Sequence, residues 1–314
     1  MRKNTQKDLV PMKKGVKTLT EKVVPDFFKE LLLEQYGEEA TENIIYGLTQ
    51  PKKVTLRVNT IKSNAEEIKK ELNAANINFE NLKWYENAFI IENVKEDTLK
   101  ELEIYKQGKI YLQSLSSMLP PVVLNPKPQE NILDMAAAPG GKTTQMAAIS
   151  QNKAYITACE RNKIRGEKLK YNLKKQGASM VNVMLEDAGN LSDFFSFDKI
   201  LLDAPCSGSG TDNVFKNNFT ADLINKSKKT QERLLRKALK ILKPGGEMVY
   251  STCSILIKEN EEVIEKVLKE FKASLVPVNL DSKIKCLPSK FKEVAVVAPN
   301  EFFEGFFVAK IKKW

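Results

Sequence analysis

The sequence has no histidine and only four cysteines, Cys159, Cys206, Cys253 and Cys286. Without an imidazole, the Ser-His and Cys-His nucleophile pairs, the commonest general base and most zinc enzymes are excluded. No C-x-x-C pair occurs, so neither a zinc knuckle nor a disulfide framework is indicated, and the thiols read as reduced. Long apolar runs are missing as well. None approaches the ~20 residues that cross a bilayer, and the basic start MRKNTQKDLVPMKKGVKT lacks the hydrophobic centre of a signal peptide. The expectation is a cytoplasmic protein, taken as a monomer, with no membrane and no metal. Any catalysis must run on carboxylates, thiols, lysines or a cofactor.

What is present is basic charge and a large apolar fraction. Lys and Arg outnumber Asp and Glu by 50 to 40, an excess that suits a polyanionic partner such as RNA. At 42% apolar residues the chain can fill a sizeable core. From Asn131 onward, strand-like runs (NILDM, AYITACE, MVNVML, FDKILLDA, GGEMVYSTC) alternate with amphipathic segments. In TQERLLRKALKIL, Leu234, Leu235, Ala238, Leu239 and Leu242 form one helical stripe, stopped by KPGG. KENEEVIEKVLKEF repeats the pattern with Val263, Ile264, Val267, Leu268 and Phe271. Such alternation predicts an α/β fold with a doubly wound, mostly parallel sheet, whose ligands sit beyond the carboxyl ends of the strands. The first part reads differently: one or two helices in VPDFFKELLLEQYGEEATENIIYGL, then strand, helix, strand, strand. The division expected is a basic tail over 1–20, open to disorder, a small α+β accessory domain over 21–118, and the main domain over 119–314. The change falls near LPPVVLNPKPQE.

Three loops carry chemistry. After NILDM, the segment Ala136, Ala137, Ala138, Pro139, Gly140, Gly141, Lys142 lets backbone approach a ligand and opens a helix with unpaired N–H groups. It nearly matches a nucleoside triphosphate loop, but Ala136 stands where the first glycine should be. Glu160 ends the second strand, where an acidic side chain grips ribose hydroxyls in a doubly wound nucleoside site. Asp187 ends the third and is positioned to accept an adenine amino group. The fourth and fifth strands end in DAPCSGSGT and YSTCS, so Cys206 and Cys253 share an edge with the glycine loop. Two thiols there suit covalent activation of a cytosine: one adds to carbon 6 so that carbon 5 can attack a methyl group, and the other aids proton loss or release. Asp203 could hydrogen-bond the base and steady the charge. The residues alone do not say which cysteine attacks. Cys159 and Cys286 are taken as structural.

The motifs YLQSLSSMLPPVVL, DMAAAPGGKTTQMA, DKILLDAPCSGSGT, LKPGGEMVYSTCS and KENEEVIEKVL, with LRVNT upstream, resemble the RNA 5-methylcytosine methyltransferases of the Nol1/Nop2/Sun (RsmB/NOP) family. The likeness runs from about Ile110 to the end. In length and layout, the compact archaeal transfer RNA enzymes are most similar. The resemblance implies a Rossmann-like methyltransferase domain behind an RNA-recognition-like domain, acting on tRNA or rRNA. It implies that Ala136 to Lys142 line S-adenosyl-L-methionine, that Glu160 holds its ribose and Asp187 its adenine, with Arg165 grouped beside them. Asp203 and Lys142 would lie where cofactor and base meet. It implies further that Cys253 is the nucleophile and Cys206 the release residue. Two departures stand out: the segment after Thr211 lacks the family's proline-tryptophan pattern, and no histidine precedes the strand expected from Gly305 to Ile311. A phosphate-loop ATPase and a non-catalytic RNA-binding protein are the alternatives.

Overall fold

The structure is a computed structural model that describes residues 23–314. The basic tail expected over 1–20 lies outside the described residues. Two helices come first, α1 (Asp26–Tyr36) and α2 (Glu38–Thr49). A four-stranded antiparallel sheet follows, built from β1 (Val54–Val58), α3 (Ala65–Ala74), β2 (Phe79–Asn81), β3 (Ala88–Ile91), the short helices α4 (Glu96–Glu101) and α5 (Glu103–Lys106), and β4 (Ile110–Leu112). Its strand order is β2-β3-β1-β4, the split arrangement of a ferredoxin-like β-α-β-β-α-β unit. Side chains alternate along β1. Leu56 and Val58 face the small core with Ile68, Leu72 and Phe89, whereas Thr55 and Arg57 are buried on the opposite face.

That opposite face is where the two halves join. The Arg57 guanidinium is fully buried and donates to Gln113 Oε1 at 3.0 Å and to Thr144 Oγ1 at 3.1 Å. Burial lowers its pKa, and the Tyr111 ring stands 5.7 Å from its carbon, close enough for cation–π attraction. The chain then enters α6 (Leu115–Leu124). Pro120 and Pro121 lie inside this helix, so LPPVVLNPKPQE begins as a buried helix and not as a linker. The Ser117 carbonyl, which Pro121 has no N–H to serve, accepts instead from Gln113 Nε2 at 3.1 Å. The division expected at 118/119 therefore falls inside α6. At the other end, Phe28, Leu32, Ile44 and Leu48 of α1 and α2 pack in one core with Leu133, Leu202 and Tyr250, so by packing these helices go with the large sheet.

The large sheet comprises β5 (Asn131–Asp134), α7 (Gly141–Ile149), β6 (Tyr155–Cys159), α8 (Lys163–Gln176), β7 (Val181–Met184), β8 (Phe197–Asp203), α9 (Ala221–Ile241), β9 (Leu242–Thr252) and α10 (Glu261–Leu268), then β10 (Ala273–Val276), β11 (Cys286–Leu287), β12 (Ala295–Val297) and β13 (Phe306–Lys313). The order is β11-β12-β13-β9-β8-β5-β6-β7, with β10 beside β13. Strands β5 to β9 run parallel to their neighbours among themselves; β13 is antiparallel to β9, as expected for the segment from Gly305. The order reverses between β5 and β8, and a crevice opens beyond their carboxyl ends. Leu242 belongs to the strand and not to the α9 stripe: it pairs with Phe197 before a register shift. Likewise α10 is shorter than its apolar pattern. It starts at Glu261 after a 3-10 turn, Ile257–Glu259.

Candidate active site

Gly140 has φ of 105° and caps α7, a backbone state that a side chain rarely adopts. The turn it allows sets the start of α7 at a cavity of about 230 Å³ lined by Tyr111, Ser117, Asp134, Ala136, Gly141, Lys142 and Asp203, among others. The first-turn N–H groups of a helix lack intrahelical partners. Behind the loop, Asp134 is buried and accepts from Thr143 Oγ1 at 2.7 Å. Burial pushes its carboxyl up to about 6. Lys142 Nζ lies 2.8 Å from Asp203 Oδ2 and donates to Ser117 Oγ at 2.8 Å. Burial works against the ammonium, but the charge and hydrogen bond of Asp203 outweigh it and hold Lys142 above its ordinary pKa. The second Asp203 oxygen accepts from Ser251 Oγ at 2.8 Å.

The two thiols meet beside this pair. Cys206 Sγ and Cys253 Sγ are 3.0 Å apart and both residues are half-buried. Their hydrogen bond, followed by burial, raises Cys206 well above the ordinary thiol value. The approach depends on small residues. Gly210 N donates to the Cys253 carbonyl at 3.0 Å and Gly210 O accepts from Gly305 N at 2.7 Å; a Cβ on Gly210 would stand 1.9 Å from Gly305 O.

A second cavity, about 90 Å³, opens beyond β6 and β7 and is lined by Met135, Ala136, Glu160, Asp187, Pro205 and Arg233 among others. Ala136 borders both cavities, so the two form halves of one crevice. Glu160 is buried; its Oε1 accepts from Asn162 N at 2.8 Å and its Oε2 is 3.4 Å from Arg165 Nη1. Exposed Arg165 also donates to the Ala138 carbonyl at 2.8 Å, steadying the loop. Asp187 accepts from Gly189 N at 2.8 Å and from Arg233 Nη2 at 2.8 Å. Burial opposes its charge, yet these bonds hold it below the usual carboxylate range. Of the residues expected at the site, Ala136 to Pro139, Gly141, Lys142, Glu160, Arg165, Asp187 and Asp203 line this crevice, whereas Gly140, Cys206 and Cys253 are not in its lining. Reading by sequence missed Arg233, on the polar face of a helix read only for its apolar stripe, and Ser117, for which no local signal exists. Cys159 is buried on β6, its thiol pushed up to about 12 by burial, whereas Cys286 is exposed at β11 and not part of a core. Among the described residues no cluster of three or more acidic, thiol or imidazole groups could hold a metal ion, and no helix is long and apolar enough to cross a membrane.

An open sheet with a reversed β13, a glycine loop after its first strand and acidic side chains at the ends of the next two defines a Rossmann-like methyltransferase fold. Comparison with known proteins carries this to a family. The family model described as 16S rRNA methyltransferase RsmB/F matches residues 121–312, and the RsmF/B-like ferredoxin-like domain matches 24–96. The chain belongs to the RsmB/F methyltransferase family and is an enzyme. It is 35% identical to the tRNA (cytosine(49)-C(5))-methyltransferase of Pyrococcus abyssi, over 90% of this chain and 95% of that one. It is 34% identical to the ribosomal RNA small subunit methyltransferase F of Shewanella piezotolerans, of which it spans 60%. A solved methyltransferase homologue from Pyrococcus horikoshii superposes with a TM-score of 0.80 at 33% identity, over 93% of this chain and 100% of that one. Family membership removes the phosphate-loop ATPase reading of Gly141, Lys142 and Thr143.

Proposed function

We propose that the chain methylates carbon 5 of a cytosine in RNA, transfer RNA in preference to ribosomal RNA, with S-adenosyl-L-methionine as the methyl donor. The observation that carries this is the pair of thiols 3.0 Å apart at the ends of β8 and β9, beside the Lys142–Asp203 pair. The preference for transfer RNA is supported by near-complete mutual coverage with the Pyrococcus abyssi tRNA enzyme. The crevice fits such a donor on its own terms: a buried carboxylate, Glu160, suits ribose hydroxyls, and Asp187 an exocyclic amine. The free N–H groups at the start of α7 suit a carboxylate. Ala136 to Gly141, Glu160, Arg165, Asp187 and Asp203 would hold the group. When bound, it supplies an electrophilic methyl group.

The chain's own residues do the rest. Cys253, as thiolate, forms a C–S bond to carbon 6 of the cytosine, and the electron pair of the 5,6 double bond becomes available at carbon 5. Asp203, fixed by Lys142 and Ser251, accepts from the amino group of the base, and the Lys142 ammonium beside it steadies the negative charge that attack puts on the ring. Once carbon 5 carries the methyl group, its proton passes to the Cys206 sulfur, as thiolate, or to solvent, the C–H electron pair restores the 5,6 double bond, and the C–S bond breaks, returning its electron pair to Cys253. Cys206, held against that sulfur, assists this second half. The small domain, expected over 21–118, contributes RNA contacts; the chain's net charge of +10 supports this. The test is methyl incorporation into unmodified tRNA and rRNA transcripts by wild type and Cys253→Ala. Loss on the order of 10⁴-fold is expected for the variant; equal incorporation by both proteins would refute Cys253 as nucleophile, and methylation of rRNA alone would refute the substrate preference.

A further inference from the structure

The loops that carry the two cysteines converge on one residue the mechanism above leaves unused. Glu259 ends the 3-10 turn before α10, and its side chain is fully buried. Its Oε1 accepts from Ser207 N at 2.8 Å and from Gln231 Nε2 at 3.2 Å. Its Oε2 accepts from Ser207 Oγ at 2.5 Å and Ser254 Oγ at 2.7 Å. Ser207 directly follows Cys206, and Ser254 directly follows Cys253. The residues before the cysteines are held from the same place: Gln231 Nε2 also donates to the Pro205 carbonyl at 3.0 Å, and Asn260 Oδ1 accepts from Thr252 Oγ1 at 2.6 Å. Asn260 Nδ2 closes the frame on the Ser254 carbonyl at 2.9 Å.

Four neutral donors therefore aim at one carboxylate. Ser207 N and Gln231 Nε2 can only donate, and Ser254 Oγ, which already accepts from Leu256 N at 3.2 Å and stands 2.7 Å from Ser209 Oγ, has its proton left for Oε2, so an amide in either orientation would set its NH2 group against a donor. Burial pushes this carboxyl up, while the serine and glutamine bonds pull the other way. We propose that Glu259 is a positioning residue for methyl transfer: by tying the residue after each cysteine to one rigid anchor, it keeps the release thiol Cys206 within reach of the adduct formed on Cys253. This rests on the two-thiol reading above, so its test needs a measure of thiol separation that requires no RNA.

Diamide provides one. It takes two electrons and two protons from a pair of thiols, forming a disulfide and a hydrazine, and only sulfurs that meet close quickly. In a Cys159→Ser, Cys286→Ser background, closure of Cys206 with Cys253 is followed by the loss of titratable thiol in Glu259→Gln and in its parent. Closure should slow about tenfold, and kcat for RNA methylation should fall on the order of 100-fold, the scale expected when reacting groups drift by about 1 Å. The Kd for S-adenosyl-L-methionine should stay within about twofold, because the crevice wall at Glu160 and Asp187 is untouched. Closure and kcat both within twofold of the parent would overturn the proposal. If Glu259→Gln fails to melt cooperatively, the Ser207→Ala, Ser254→Ala double variant is judged by the same two readouts. Slowed closure in a chain whose parent methylates no RNA would uphold the anchor and sink the proposed reaction instead.

Discussion

The two ends of the crevice are built on different principles. At the thiol end the polar groups are sheltered and framed: Asp134 by Thr143, Asp203 by Lys142 and Ser251, the cysteines by Gly210 and Gly305. At the Glu160 end the acidic groups pair with arginines that are more exposed, with side-chain accessibilities of 58% for Arg165 and 42% for Arg233. Water screens the exposed guanidinium in each pair, so even beside the buried Glu160 the pairing is weakened and more readily exchanged for a ligand, whereas a group framed on all sides resists displacement. The thiol end is therefore suited to fixing reacting atoms, and the Glu160 end to admitting and releasing a nucleoside. Substitutions at the first should change kcat, and at the second KM or Kd.

The largest effect that sharpens this contrast is at Cys206. Cys206→Ala leaves Cys253 free to attack but removes the assisting thiol, so turnover should fall on the order of 100-fold or more, and a covalent protein–RNA species should accumulate. Denaturing gel electrophoresis of the variant incubated with cofactor and RNA shows it as a slow band. Unimpaired turnover with no such band would mean that the frame around Cys206 serves packing alone.

Asp134 gives the contrast a pH signature. Its carboxyl is raised by burial to about 6, so the folded state holds the proton more tightly than the unfolded one. The contribution to stability is fully present below the unfolded value near 4 and is lost as pH rises through about 6, in total roughly 3 kcal/mol at 1.36 kcal/mol per unit. Subtracting the melting profile of Asp134→Asn from that of wild type between pH 4 and 7 should isolate this slope. A flat difference would show that Thr143 stabilises the ionised form despite burial.

How much of this was legible beforehand follows the same divide. The alternation of strands and helices after Asn131 forecast the parallel sheet, and the strand ends at NILDM, ACE and DAP forecast residues that line the crevice, because period and glycine are local signals. Pro120 and Pro121 misled for the opposite reason. The carbonyl that Pro121 leaves unserved in their helix is met by Gln113, a residue outside it. Arg57, inside the recognised LRVNT, gave no hint of its burial against Thr144, since a charged residue on a strand reads as solvated until another domain covers it. Glu259 looked like the start of an amphipathic helix and proved to sit in a turn. Contacts made across long stretches of chain leave no periodic trace.

At the Glu160 end, Glu160→Gln keeps shape and removes charge. A charge-assisted bond to ribose is worth about 1.5–3 kcal/mol, so the Kd for S-adenosyl-L-methionine should rise roughly tenfold or more, with kcat at saturation little changed. Isothermal titration beside single-turnover rates separates the two. A fall in kcat with unchanged Kd would break the division of labour between the ends.

The smallest effect tests whether Arg233 is a rival or a wall. Its Nη2 occupies Asp187 Oδ2 at 2.8 Å, the acceptor proposed for adenine, and it lies so close over Gly189 that a Cβ there would meet Nη1 at 1.6 Å. If the arginine only competes, Arg233→Ala frees an acceptor at the cost of a partly exposed ion pair, and affinity should tighten about two- to fivefold, within the worth of such a pair. Weakening beyond that range would mean that the guanidinium packs on the base, which would make this end of the crevice a framed site like the other.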